Sequence, residues 1–312
     1  MFDVKKLFCT VFIVLIFILL SQSSFAYNQR LDLNLGNTSG IDSILPPPGL
    51  YLSNYIANYS ANDFKNEKGN NLKLPGGDDP DLNAVIYAPQ IIYVHNNKIF
   101  DNYSIGFQFM PTVLQSYNLD SDVLSANSAT LGDMNFGPWI GRTENFGNNF
   151  RLNWIVEFDT YFPTGNHDKD DDLNPGNDFW TFEPWVSLSL QMPYGFTLGT
   201  RQMVTYNTEG SDSDIQPGIA YHTNYSLWKS LKPIAPSLQI GIVGYYLDQL
   251  EEDELNGEDQ ENSEEKVSAI GPALSWRAPS GTTVRLKAYF EDNVENRPEG
   301  QKILLRIIQK LW

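Results

Sequence analysis

Cysteine is nearly absent: Cys9 is the single one in 312 residues. One thiol excludes a disulfide framework and a cysteine-rich metal site. Basic residues are scarce as well, with 21 Lys and Arg against 38 Asp and Glu and a formal charge of −17. A nucleic-acid binder needs a basic face to neutralise phosphates, so this class is excluded. Only three histidines occur, His95, His167 and His222, and none stands in a hydrolase-like constellation. With the pieces of a triad missing, a barrel phospholipase and enzymes in general are disfavoured. After residue 26 no apolar run approaches the roughly 18 residues of a helical span, and mean hydropathy is −0.32. No long helical stripe is present either.

The N-terminus is an address. Lys5 and Lys6 precede an almost wholly apolar run, 7–20, and Ser24-Phe25-Ala26 ends in small residues. This is the layout of a cleaved secretory signal peptide, and the apolar run is short for an anchor. Residues 1–26 are therefore expected to be removed, taking Cys9 with them. Aromatic residues, at 13%, are too many for a disordered acidic chain.

The dominant pattern has period two. In 151–162, Leu152, Trp154, Val156, Phe158 and Phe162 oppose Arg151, Asn153, Glu157 and Asp159. Val284, Leu286, Ala288 and Phe290 oppose Arg285, Lys287, Tyr289 and Glu291. Ile105, Phe107, Phe109 and Val113 alternate with Gly106, Gln108 and Thr112, and 186–191 repeats the alternation. These are two-faced strands. About twelve segments qualify, and their connections alternate between short turns and long polar loops, the longest at 61–82, 163–178 and 251–264. The loops after odd-numbered strands hold 26 of the 38 acidic residues.

Strands of this length with short turns at one end and long loops at the other predict an all-β, antiparallel, up-and-down transmembrane β-barrel. The boundaries expected are a signal peptide over 1–26, a periplasmic or lumenal segment over 27–48, and the barrel over 49–312. The apolar face then meets lipid and the polar face lines a lumen, which explains charges without sequence partners. Tyr51, Tyr55, Tyr59, Tyr161, Phe162, Phe179, Trp180, Phe182, Tyr245 and Tyr246 are expected to form a belt at the loop end, with Trp228 and Trp276 at the turn end. In the last segment Ile303, Leu305, Ile307 and Leu311 form the apolar series, while Arg306 and Lys310 share the parity of the terminal Trp312.

Several motifs occur in a particular order. They are Leu45-Pro46-Pro47-Pro48-Gly49-Leu50-Tyr51, Leu131-Gly132-Asp133 with Gly137-Pro138, Pro163-Thr164-Gly165-Asn166, and Asn174-Pro175-Gly176-Asn177-Asp178-Phe179-Trp180. Then follow Gly244-Tyr245-Tyr246-Leu247-Asp248-Gln249-Leu250, Ile270-Gly271-Pro272-Ala273 and Asn296-Arg297-Pro298-Glu299-Gly300. Over 45–312 this order resembles the outer-membrane barrels named for the meta-pathway of phenol degradation, grouped with the functional-amyloid transporter barrel. The resemblance implies an outer-membrane channel for small hydrophobic or aromatic compounds. The amyloid-transporter branch uses an N-terminal plug, and 27–45 is available to occupy a lumen here, although a long helical extension is missing. Mechanically, Pro163 ends a strand, Gly176 is expected to take a positive φ in a turn, and Gly271-Pro272 is expected to mark a bulge or close packing of a lumen segment.

The residues proposed for the lumen and solute path are Arg151, Glu157, Asp159, Arg285, Lys287 and Glu291. In hydrocarbon the basic ones would cost roughly 2–4 kcal/mol each at the midplane, so they require a wet or paired interior. Opposed charges there either orient polar solutes, fix a plug, or simply bridge one another. The stretch His167–Asp172 has oxygen ligands but lacks the glycine and distal Glu of a calcium loop, so a solvated loop is expected and no metal or cofactor. Expected partners are outer-membrane lipid and lipopolysaccharide, the barrel assembly machinery and a small hydrophobic solute. The alternatives are a secretion pore for an amyloid-type subunit and a plugged structural or adhesive barrel.

Overall fold

The computed structural model describes residues 35–38, 41–99, 102–232 and 234–312, and the expected signal peptide lies outside them. Twelve antiparallel strands form the wall. They are β1 (Gly49–Phe64), β2 (Asp81–Val94), β3 (Ser104–Met110 continued by Leu114–Asp120), β4 (Met134–Asn145), β5 (Arg151–Phe162) and β6 (Thr181–Gln191). The second half comprises β7 (Phe196–Asn207), β8 (Ala220–Ser230), β9 (Leu238–Gln249), β10 (Lys266–Arg277), β11 (Thr283–Glu295) and β12 (Pro298–Lys310). Each pairs with its sequence neighbour, and β1 pairs with both β2 and β12, so the sheet closes and leaves no edge.

The period-two residues fall on opposite sides of this wall. On β5, Asn153, Ile155, Glu157 and Asp159 are buried inward, whereas Val156 and Phe158 are exposed on the outside. Leu188, Leu198, Ile242, Ile270, Leu286 and Ile303 continue the outer face. An exposed apolar surface around a whole sheet far exceeds what a soluble monomer shows. No helix among the described residues is long and apolar enough to cross a membrane.

Two prolines shape β3. Pro111 has no N–H for the ladder, and the strand breaks over Pro111–Val113 opposite Pro89 of β2. The break reverses parity. Gln108 is inward before it, while Val113 and Gln115 are inward after it. Val113 therefore leaves the outer series in which its spacing places it.

Three further expectations change. Tyr51, Tyr55, Tyr59, Phe179, Tyr245 and Trp228 are buried rather than displayed in belts. The tyrosines carry a polar tip that the lumen satisfies as well as a headgroup does, whereas Trp228 packs in an apolar cluster. Trp180 and Trp276 are exposed as expected, and Phe182 of the expected belt sits in an outer row, 6.1 Å from Phe158 and 6.4 Å from Tyr206. Gly176 does not take a positive φ. The ladder keeps its register across Gly271-Pro272, and the bulge lies between Lys266 and Ser268. Gly271 instead abuts the backbone of Ala288 and Tyr289 on β11, where a Cβ would collide. Within the acidic 251–264 loop, Asp253–Leu255 and Glu258–Gln260 form a hairpin. Its turn residues Asn256 and Gly257 both have positive φ, as the two-residue hairpin turn demands.

The loop end of β3 to β6 is tied by three of the sequence motifs. Gly132, Gly165 and Gly176 meet closely, so that a Cβ on Gly165 would sit 2.7 Å from backbone atoms of the other two. The Asp133 carboxylate accepts hydrogen bonds from Thr164 N (3.0 Å), Gly165 N (2.8 Å) and Asn177 N (3.0 Å). Asp178, just beyond, accepts from Ser213 N (2.7 Å) and Asp212 N (2.9 Å) and so anchors the 207–216 loop. Partial burial alone would raise its pKa. These backbone donors outweigh it, and the group lies below the usual carboxylate range.

Candidate functional site

The lumen holds the first described residues. Residues 35–38 and 41–48 enter it, with Ile41–Ser43 forming one 3-10 turn. Leu35 and Ile41 are buried against Tyr245, Val267 and Tyr289. The backbone of this segment is caught by inward side chains. Lys287 Nζ donates to Gly36 O at 2.7 Å and Asn37 O at 2.9 Å. Tyr289 OH also donates to Gly36 O (2.7 Å), and Lys302 Nζ donates to Leu35 O (3.1 Å). Asn224 clamps both polarities, accepting from Gly36 N at 2.8 Å and donating to Thr38 Oγ1 at 3.0 Å. Ser43 and Ser189 hydroxyls lie 2.5 Å apart.

Asp42 is the electrostatic centre of the segment. Its Oδ1 accepts from Arg285 Nη1 at 2.5 Å and from Arg306 Nη1. Arg306 is preset for this. Its Nε donates to Ser53 Oγ at 2.9 Å, and its guanidinium lies 4.5 Å from the Tyr55 ring centroid. Arg201 stacks 3.7 Å over Trp185, and its Nε has no hydrogen-bond partner among the described residues.

Acidic side chains gather on the other wall. Asp159 accepts from Gln108 Nε2 (2.7 Å) and Trp185 Nε1 (2.9 Å), with Glu157 beside it. Glu183 Oε2 lies 3.0 Å from His222 Nε2, and both side chains are fully buried. In a ring of twelve, strands six apart lie across from each other. Thus β5, which carries Glu157 and Asp159, lies across from β11, which carries Arg285 and Lys287, and β6 with Glu183 lies across from β12 with Lys302 and Arg306. A cavity of about 90 Å³ in the lumen is lined by Glu157, Asp159, Asp42, Arg201 and Arg306 together with Tyr55, Trp139 and Trp185.

Of the expected residues, Glu157 and Asp159 line this cavity, while Arg285 and Lys287 hold the lumenal segment beside it. Glu291 lies further toward the loops, accepting from Tyr59 OH (2.7 Å), Tyr245 OH (2.6 Å) and Gly300 N (2.8 Å). Arg151 does not join it. It stands at the turn-end rim, exposed, with Nε donating to Asn145 Oδ1 at 3.0 Å. Asp42, Arg201, Glu183, Lys302 and Arg306 complete the lumen and are not singled out by the sequence pattern. Arg306 carried a signal, the inward parity it shares with Lys302 on β12. Asp42 carried none, because no periodicity governs a single turn.

A family model described as "Putative MetA-pathway of phenol degradation" matches residues 61–307. No curated protein matches the sequence. Among solved structures the chain is similar to the COG4313 outer membrane channel from Pseudomonas putida F1. The TM-score is 0.71 at 16% identity, over 85% of this chain and 96% of that one. The translocator domain of the autotransporter NalP from Neisseria meningitidis gives a TM-score of 0.44 at 11% identity, over 88% of this chain and 93% of that one. At such identities the likeness is one of fold.

Proposed function

The chain belongs to the family described as the putative MetA-pathway of phenol degradation, and from that premise we propose that it is a bacterial outer-membrane channel passing small hydrophobic or aromatic molecules passively. The observation that carries this reading is the lumen itself. A closed barrel with an apolar exterior surrounds a cavity whose walls combine rings (Tyr55, Trp139, Trp185) with opposed charges. Rings hold an aromatic solute by stacking, and a transverse field aligns its polar end. Lipid contacts the outer apolar face, lipopolysaccharide lies against the loop end, and the barrel assembly machinery inserts the chain. The leader 1–26 directs export, and 27–48 precedes the wall.

A second reading, a plugged barrel, is favoured by residues 35–38 and 41–48 filling part of the lumen. Single-channel recording in planar bilayers separates the two. The channel reading expects discrete openings from the full chain, and a permanently silent barrel that is nonetheless folded contradicts it.

A further inference from the structure

We infer that Arg285 and Arg306 form a carboxylate-binding site for small aromatic monocarboxylates, with Asp42 of the lumenal segment as its internal occupant. The inference rests on the reading above that solutes enter the lumen. Three observations carry it. First, the two guanidiniums converge on one carboxylate oxygen, with side chains only 13% and 5% exposed. Converging arginines on a carboxylate are a strong, directional arrangement, worth more than an isolated surface pair.

Second, the site is built by the wall rather than by its occupant. Arg306 is positioned by Ser53 and Tyr55, both on strand β1 of the wall and outside the lumenal segment. Arg285 Nε and the nearby Arg201 Nε are buried without hydrogen-bond partners among the described residues. Two guanidiniums thus hold a single carboxylate and a third, Arg201, lines the same cavity, leaving donor capacity that an incoming anion can use.

Third, the cavity beside Asp42 supplies the rest of a ligand's shape. Tyr55, Trp139 and Trp185 line it, and its volume of about 90 Å³ adjoins the space the Asp42 turn fills. A ring against these faces with its carboxylate on Arg285 and Arg306 reproduces the contacts of Asp42 and adds stacking. The far wall presents Glu157 and Asp159, two acidic groups that disfavour a second carboxylate. The ligand thus competes with the chain's own segment. Binding and displacement are one event, which couples solute to opening.

The test is calorimetric titration of the folded full chain in detergent with benzoate, benzyl alcohol and terephthalate. Wild type should bind benzoate, with no measurable binding of the other two. Asp42→Asn should bind benzoate about tenfold more tightly or better, because the occupant no longer competes. Arg306→Gln should lose at least tenfold. Heat-modifiable mobility checks that each variant is folded, and Arg285→Lys, a milder change, provides the same reading if Arg306→Gln does not fold. Unchanged or weaker benzoate binding in Asp42→Asn overturns the inference, as does equal binding of benzyl alcohol. Conductance keeps the two claims apart. A barrel that conducts but ignores benzoate overturns this site alone, and one that binds benzoate but never conducts overturns the channel reading.

Discussion

Neutralising Asp42 should loosen the lumenal segment. In the substitution Asp42→Asn the side chain keeps its shape, but Arg285 and Arg306 then face an amide in place of a carboxylate. Removing one partner of a buried ion pair typically costs about 3–5 kcal/mol, because the other charge is stranded. Arg285 retains some exposure at 13%. The lower end applies, and about 3 kcal/mol corresponds to roughly a hundredfold shift in the docked-to-undocked ratio. The remaining anchors, Lys287, Tyr289, Asn224 and Lys302 on the 35–38 backbone, are untouched. The segment should therefore open more often at the Asp42 turn while the 35–38 turn holds. Single-channel records should show a much larger open fraction in Asp42→Asn than in wild type at the same voltage and salt. Equal open fractions, with both proteins folded by heat-modifiable mobility, would refute the reasoning.

Three other outcomes follow from the structure. His222→Ala strands the fully buried Glu183 carboxylate and should lower barrel stability by about 3–5 kcal/mol, seen as a lower temperature for loss of the compact band; no change would mean the pair contributes nothing. Gly165→Ala forces a Cβ into Gly132 and Gly176, so protease nicking within 163–178 should rise while the barrel itself stays intact. For Asp178, a depressed folded pKa gives a contribution fully present above the unfolded value of about 3.9 and lost as pH falls through the folded one. Amide protection of the 207–216 loop should then be steady from pH 7 to pH 5 and decline only in stronger acid. Asp178→Asn should lower it at every pH.

Strand alternation made the wall legible, because a lipid face and a lumen face impose opposite chemistry on successive residues. Glu157, Asp159, Arg285 and Lys287 could be assigned inward for that reason alone. Parity is silent on depth, which is why Arg151 shares the inward side of Asp159 yet ends at the rim. It also fails where a proline resets it, as Pro111 does before Val113. Rings were misplaced because tyrosines such as Tyr55 and Tyr59 find hydrogen-bond partners in a polar interior as well as in a headgroup layer. The partner of Arg306 lies 264 residues away in a segment with no repeating pattern. Alternation cannot anticipate such a contact. Gly132, Gly165 and Gly176 stand in the quoted motifs, but that they meet was not legible, because their contact is backbone proximity across separate loops rather than turn conformation.

Flux through reconstituted vesicles tests the channel account most directly. Liposomes carrying the full-length protein, compared with empty liposomes, should take up a small labelled aromatic compound down its gradient without any energy source, and much faster than a sugar of similar size. Equal rates with and without the folded barrel would contradict the account.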